Sequence, residues 1–164
     1  MESTAVCFTG YRPQKLPWGE DESDPRCREL KLRLLAAANA FAEDGAVRFL
    51  CGMARGVDLY AAEAVLLLKQ ARPEVALECV LPFRGQGEGY RGIIKARYHG
   101  ILEQADAVTV LSEAYHPLCM LARNRYMVDH AQSVIAVYDG ASGGTRQTIE
   151  YARKMGRAIK IISP

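Results

Sequence analysis

The chain has 164 residues, of which 49% are hydrophobic and 24% are charged. This composition is typical of a globular protein and argues against a disordered or fibrous one. The length predicts a single domain, residues 1–164, that can bury a substantial core. A net charge of +2, from 21 basic and 19 acidic residues, provides no general attraction to nucleic acid.

The cysteine pattern indicates a reducing compartment. There are five cysteines, no two of them have CxxC spacing, and several lie in apolar runs. Such a pattern favours buried, reduced thiols over a disulfide framework. The N-terminal segment MESTAVCF lacks the features of a signal peptide, and no apolar run reaches the length of a membrane span. We therefore expect a cytoplasmic protein without a membrane partner.

Six short apolar runs alternate with longer segments that have helical spacing. Most of these runs lack the strict apolar/polar alternation of a half-exposed strand, which is typical of strands covered on both faces of a parallel sheet. The predicted strands are TAVCFT (4–9), AVRFLC (46–51), VALECVL (75–81), AVTVLS (107–112), SVIAVYD (133–139) and AIKIIS (158–163).

The first helix has clear signals at both ends. Asp24 is a suitable N-cap, Pro25 suits the first helical position, and Gly45 can end the helix in a left-handed conformation. The repeated alternation of strand and helix predicts a doubly wound α/β fold in three layers (α/β/α), with a mostly parallel sheet of about six strands. The other predicted helices cover residues 57–70, 90–104, 118–131 and 146–155.

One long connection, residues 12–24, has no predicted regular structure and carries the only tryptophan, Trp18. Connections of this length are often binding loops or lids. The alternative is an ordinary surface loop in which Trp18 anchors the packing. The sequence leaves both interpretations open.

The segment CGMARGVD (51–58) joins a predicted strand to a predicted helix. Gly52 and Gly56 would allow a sharp turn and close backbone approach to a ligand, and the following helix would direct its free N–H groups at the same place. Arg55 would add a positive charge suited to phosphate, and Asp58 could accept a hydrogen bond from a ribose or a base. The alternative is a tight turn in which Asp58 caps the helix.

A second glycine-rich loop, ASGGTRQT (141–148), has the same position before a helix. Gly143, Gly144, Thr145 and Thr148 could hold another phosphate through backbone N–H groups and hydroxyls. The loop lacks the lysine and spacing of a Walker A motif, and GxGxxG is absent from the chain. The alternative is a glycine-rich turn with a threonine cap.

These motifs, in order, resemble the SLOG superfamily and most of all its YpsA-like branch. The resemblance covers TGYR, CGMARGVD, LPF, ADAVTVLS, ARNRYMVDHA and YDGASGGTRQTIEYA, and GMARGVD is similar to a segment of DprA-like proteins. It implies a Rossmann-like fold that binds nucleotides or molecules derived from them. The residues it implicates are Gly10, Arg12, Gly52, Arg55, Gly56, Asp58, Arg123, Asn124, Gly143, Gly144 and Thr145.

The same resemblance raises the question of catalysis. LOG-type phosphoribohydrolases carry a glutamate three residues after the GT of their fifth loop, and Thr148 stands at that position here. Glu150 lies two residues further on, about 200° around the helix, and we expect it to point elsewhere. The enzyme assignment therefore stays undecided between a binding protein and a nucleotide-processing hydrolase.

We expect a sensor or regulatory protein that binds a small phosphorylated ligand, such as an ADP-ribose or NAD derivative. Arg12 and Arg55 would neutralise phosphate, and Tyr11 or Phe83 would stack on a base. The histidines have no metal-like spacing, so neither a metal site nor a required cofactor is predicted.

The weaker alternative is a single-strand nucleic-acid binder, disfavoured by the acidic run GEDES near the first loop. The groove of such a nucleic-acid binder would use Arg12, Arg55, Arg84, Arg91, Arg123 and Arg125, with Tyr11, Phe83 and Tyr90 available for stacking.

Self-association is a further expectation, because related folds form dimers.

Overall fold

The computed structural model describes residues 4–164, so residues 1–3 of the segment MESTAVCF lie outside the described residues. Six strands form one sheet, and five α-helices and two short 3-10 turns connect them. The strands are β1 (Thr4–Thr9), β2 (Ala46–Cys51), β3 (Ala76–Leu81), β4 (Ala107–Val110), β5 (Ser133–Val137) and β6 (Ala158–Ile162). The helices are α1 (Pro25–Glu43), α2 (Val57–Ala71), α3 (Gly92–Gln104), α4 (Cys119–Asp129) and α5 (Gly144–Lys154), and the 3-10 turns are Pro13–Lys15 and Gln86–Gly89.

The strand order is β4-β3-β2-β1-β5-β6, and every pairing is parallel. The predicted doubly wound α/β fold is confirmed, with a sheet that is parallel throughout. The chain runs outward from β1 to β4 and then returns to place β5 on the other side of β1. This reversal creates a switch point between β1 and β5, where the loops leaving the two strands diverge and open a crevice.

Both faces of the sheet are covered, which explains why the strands lack polar alternation. In β1, Val6 and Phe8 join the core beneath α1, α2 and α3, whereas Ala5 and Cys7 join the core beneath α4 and α5. Alternate residues of a strand point to opposite faces, so both sets must be apolar here. All five cysteine side chains are buried.

The predicted ends of α1 are confirmed. The Asp24 carboxylate accepts a hydrogen bond from the Arg26 backbone N–H at 2.8 Å, Pro25 begins the helix, and Gly45 follows it with a φ of 104°. Glycine adopts such a conformation without steric cost.

Three helices begin at other residues than predicted, and the smallest difference is that of α4, which begins at Cys119 instead of residue 118. Tyr90 and Arg91 are extended, with ψ values of 149° and 155°, because the preceding residues form a 3-10 turn, so α3 begins at Gly92. α5 begins at Gly144, two residues before the predicted start. This earlier start places Gly144 and Thr145 of the glycine-rich loop in the first turn of α5.

The long connection combines both interpretations considered for it. Trp18 is only 6% exposed, and its indole N–H lies 3.3 Å from the Tyr60 hydroxyl, so this side chain is a packing anchor. The beginning of the same connection, at Arg12 and Lys15, reaches the crevice at the switch point. Among the described residues, no helix combines the length and hydropathy needed to cross a membrane.

Candidate functional site

A cavity of about 380 Å³ opens at the switch point, beyond the carboxyl ends of the strands. Its wall combines the loops that follow β1 and β2 with the first turns of α2, α4 and α5. Sequence-predicted residues in this wall are Gly10, Tyr11, Arg12, Asp58, Arg123, Asn124, Gly144 and Thr145. The sequence interpretation did not include Phe8, Thr9, Gln14, Lys15, Ala54 and Met120, which also line the cavity.

Tyr11 connects the loops on the two sides of the crevice. Its hydroxyl donates a hydrogen bond to Asp139 Oδ1 at 2.6 Å and accepts hydrogen bonds from the backbone N–H groups of Asp139 at 3.1 Å and Ala141 at 3.3 Å. The side chain is 3% exposed, so its ring belongs to the wall and does not project as a stacking platform. Tyr11 therefore positions the loop that leads into α5.

The loop after β2 packs against the protein's own chain. A Cβ on Gly52 would lie 2.7 Å from Arg123 Cζ, and one on Gly56 would lie 2.6 Å from the Tyr11 carbonyl oxygen. The Val57 N–H, at the start of α2, donates to that same carbonyl at 3.1 Å. These glycines thus allow close contact between parts of the fold, and this corner does not form the open anion pocket expected from the motif.

Arg55 points away from the 380 Å³ cavity. Its guanidinium forms an ion pair with Glu20 and lines two neighbouring cavities. The acidic run GEDES is likewise engaged by cations, because Glu22 pairs with Arg97 at 2.6 Å and with Lys31 at 2.7 Å. Glu20 and Glu22 of the run therefore lie in ion pairs, whereas Asp21 is exposed and accepts hydrogen bonds from Ser23.

Asp58 and Arg123 are the buried charged groups of the wall, with exposures of 7% and 3%. Burial raises the pKa of the Asp58 carboxyl, although Arg123 and a hydrogen bond from the Ala54 backbone N–H at 3.1 Å oppose the rise. Burial also lowers the pKa of the Arg123 guanidinium, while Asp58 counteracts the decrease.

The Arg123 guanidinium is fixed by neutral groups. Its Nε donates to Asn124 Oδ1 at 2.7 Å, one terminal nitrogen donates to the Gly52 carbonyl oxygen, and the other lies 3.9 Å from Met120 Sδ. No carboxylate forms an ion pair with Arg123 in the part of the chain that the structure describes. A buried cation without such a partner favours an anion in the adjacent cavity.

The first turn of α5 forms the opposite wall. Gly143 precedes it with a φ of 133°, and no side chain caps the turn. Lys15 Nζ donates to the Ser142 carbonyl oxygen at 2.5 Å, and a Cβ on Gly143 would collide with this ammonium group. The uncapped N–H groups and the positive end of the helix dipole, with Lys15 beside them, attract an anion here.

Two further predicted residues, Thr148 and Phe83, lie outside the main cavity, and so does Glu150. The Thr148 hydroxyl donates to the Gly144 carbonyl oxygen of its own helix at 2.9 Å, and the side chain faces a separate depression. Glu150 lies in that depression too, where it pairs with Arg146 at 3.1 Å. Phe83 lines an adjoining cavity of about 140 Å³, and its ring contacts that of Tyr115 edge to face.

The fold and this wall define a class: a Rossmann-like α/β protein with a cation-lined crevice at its switch point. The chain belongs to the YspA SLOG family (YpsA), whose model matches residues 6–162. The resemblance found from the motifs is therefore confirmed.

Similar proteins come from bacilli. The uncharacterized SPbeta prophage-derived protein YoqJ of Bacillus subtilis (strain 168) is 31% identical over 144 residues, which cover 80% of this chain and 84% of that protein. A UPF0398 protein of Bacillus thuringiensis (strain Al Hakam) is 30% identical over 155 residues, which cover 92% of this chain and 83% of that protein.

The fold is also similar to a solved structure of DNA processing protein A from Helicobacter pylori, which was described for its single-stranded DNA binding mode. The TM-score is 0.64 at 19% identity, and the match covers 97% of this chain. The chain spans 65% of the length of that structure. At this identity, the similarity shows a shared fold.

Proposed function

We propose that this protein binds a small phosphorylated nucleotide, or a ligand derived from one, in the switch-point cavity and acts as a sensor or regulatory protein. The observation that carries the proposal is the charge of the wall. Arg12, Lys15 and buried Arg123 line the cavity beside the uncapped start of α5, and Asp58 is the sole acidic residue among the described residues that line it. Such a wall favours a phosphate over a neutral or cationic ligand.

The dimensions of the site support a nucleotide-sized molecule. A cavity of about 380 Å³ lies within the range of typical small-ligand pockets, roughly 300 to 1,000 Å³. Arg12 also lines two adjoining cavities, of about 140 and 690 Å³, which Arg55 shares. A ligand joined by a pyrophosphate, such as ADP-ribose, would extend past Arg12 toward Arg55.

Thermal shift with AMP, ADP-ribose and NAD tests the proposal. A ligand present at 100 times its Kd stabilises the folded state by about 2.7 kcal/mol, which corresponds to a Tm increase of about 5 to 11 °C for a chain of this size. The increase should persist in EDTA, since no metal or other cofactor is proposed.

Arg12→Ala should weaken AMP binding about tenfold, because it removes a charge-assisted contact to phosphate. Arg91→Ala is the matched control: this exposed arginine, which makes no ion pair to the described residues, lines the neighbouring cavity but not the 380 Å³ one. Arg55→Ala should weaken ADP-ribose but not AMP. Equal loss for Arg12→Ala and Arg91→Ala, or no Tm response to any nucleotide, would contradict the proposal.

A second candidate, single-stranded nucleic-acid binding, is favoured by the similarity to DNA processing protein A. Several arginines suited to a groove are engaged, however: Arg84 forms an ion pair with Glu113 at 2.7 Å, Arg55 pairs with Glu20, and Arg123 is buried. Fluorescence anisotropy of a labelled oligonucleotide at increasing salt separates the candidates. A strand binder loses affinity with a slope of about −0.7 per neutralised phosphate, whereas a nucleotide in the cavity should show a shallow dependence.

The hydrolase alternative requires a carboxylate within reach of the leaving base. Glu150 faces a separate depression, which leaves Asp58 as the sole carboxylate among the described residues that line the cavity. Chromatography of AMP incubated with the protein tests this alternative: adenine release that Asp58→Asn abolishes would favour a hydrolase, whereas Glu150→Gln should behave as wild type. Location in the cytoplasm and self-association stay predictions.

A further inference from the structure

Asp58 is the one feature of the wall that a phosphate does not explain. The carboxylate is 7% exposed and lies in the first turn of α2 at the edge of the cavity. Its Oδ2 accepts the Ala54 backbone N–H at 3.1 Å, whereas Oδ1 receives no hydrogen bond from residues 4–164. Arg123 is near enough to affect its charge but forms no ion pair with it. One oxygen of this largely buried carboxylate is thus left open to the cavity.

An open carboxylate oxygen repels phosphate and accepts hydrogen bonds from hydroxyl or N–H groups. The wall of the cavity therefore carries two kinds of group. Lys15 and the start of α5 attract an anion, and Asp58 accepts hydrogen-bond donors. The loop at Gly10 packs directly on α2, since a Cβ on Gly10 would lie 2.7 Å from Val57 Cβ.

A phosphorylated ribose carries both kinds of group on one small molecule, an anion at the 5′ position and two hydroxyls at the 2′ and 3′ positions. We propose that Asp58 accepts hydrogen bonds from the ribose hydroxyls and makes the cavity selective for ribonucleotides over their deoxy analogues. This inference rests on the proposed nucleotide-binding function and specifies its substrate class.

A site that buries a hydrogen-bond acceptor discriminates against a ligand that lacks the matching donor, because the acceptor is then left without water or a partner. Hydrogen bonds to a charged group are among the stronger ones. Wild-type protein should therefore bind AMP at least about tenfold more tightly than 2′,3′-dideoxy-AMP, with 2′-deoxy-AMP between them because it keeps one of the two hydroxyls.

The test is isothermal titration of AMP, 2′-deoxy-AMP, 2′,3′-dideoxy-AMP and inorganic pyrophosphate, with wild type and with Asp58→Asn. Asparagine has nearly the same shape, and its amide oxygen can still accept the Ala54 N–H. We expect the AMP preference to fall to about twofold or less in Asp58→Asn, since the group that then faces the cavity is an amide NH2, which cannot accept hydrogen bonds from the ribose hydroxyls. Pyrophosphate should bind this variant at least as tightly as wild type, because the carboxylate facing the cavity has been neutralised.

These opposite changes cannot arise from a misfolded variant, which would lose both ligands. If wild type binds AMP and dideoxy-AMP equally, the inference about Asp58 is refuted while nucleotide binding stands. If the preference survives in Asp58→Asn, another group recognises the sugar and the inference is refuted as well. If no nucleotide binds, the proposed function and the inference are both refuted.

Discussion

Replacing Tyr11 with phenylalanine removes one oxygen atom that makes three hydrogen bonds across the crevice. These join the loop after β1 to Asp139 and Ala141 in the loop before α5. Burial and the bond to Asp139 raise the pKa of the Tyr11 hydroxyl, although the backbone N–H groups oppose the rise. The hydroxyl is therefore a neutral donor throughout the neutral pH range.

The magnitude follows from the environment of the partners. A net hydrogen bond stabilises a protein by about 0.5 to 1.5 kcal/mol. Asp139 and Ala141 are exposed, so water replaces part of what they lose. We therefore expect Tyr11→Phe to lower the free energy of unfolding by about 1 to 2 kcal/mol, and Tm by about 2 to 8 °C.

Thermal unfolding followed by the fluorescence of Trp18 measures this change, because the single tryptophan is buried in the fold. Tyr138→Phe is the matched control: its ring centroid lies 6.2 Å from that of Tyr11, and its hydroxyl makes no hydrogen bond to the described residues. AMP affinity should also decrease in Tyr11→Phe, since the loop before α5 loses its anchor. Equal Tm values for the two variants would refute the positioning role of Tyr11.

Two further predictions concern glycine packing and pH. Gly56→Ala should lower the free energy of unfolding by about 2 to 4 kcal/mol, because Gly56 has a φ of 88° and a Cβ would lie 2.6 Å from the Tyr11 carbonyl oxygen. Gly100 lies in α3, with open space where a Cβ would be, so Gly100→Ala should instead stabilise the fold by about 0.5 to 1 kcal/mol. Urea denaturation measures the free energy of unfolding of both variants, and similar changes in the two would contradict the packing role of Gly56. Burial opposes ionisation of Glu22, but hydrogen bonds from Arg97 and Lys31 lower its pKa overall. This carboxylate therefore stabilises the fold above its unfolded-state pKa, so Glu22→Gln should be less stable than wild type at pH 7. The difference in stability should disappear as the pH falls through the lowered pKa of Glu22. A difference independent of pH would contradict the ion-pair explanation.

Local physics accounts for the elements that the sequence predicted correctly. A strand that is apolar on both faces is stable only in a sheet that is covered on both sides. Asp24 and Pro25 set the start of α1 and Gly45 follows its end, and each of them affects only the nearest turn of the helix. These signals depend on residues close in the chain, so they can be interpreted without knowing the fold. The start of α3 was misplaced because the preceding 3-10 turn has no distinct sequence signal.

By itself, therefore, the sequence determined the strands, the helices, the family and the presence of two glycine-rich corners. Only the tertiary structure decided what each corner contacts. A glycine permits close approach whether the neighbour is a ligand or the protein itself; Gly52 meets Arg123, 71 residues away, and Gly56 meets the Tyr11 carbonyl. Lys15 likewise reaches the start of α5 only because β1 and β5 are adjacent in the sheet. Such long-range contacts depend on strand order, which no local pattern of residues encodes.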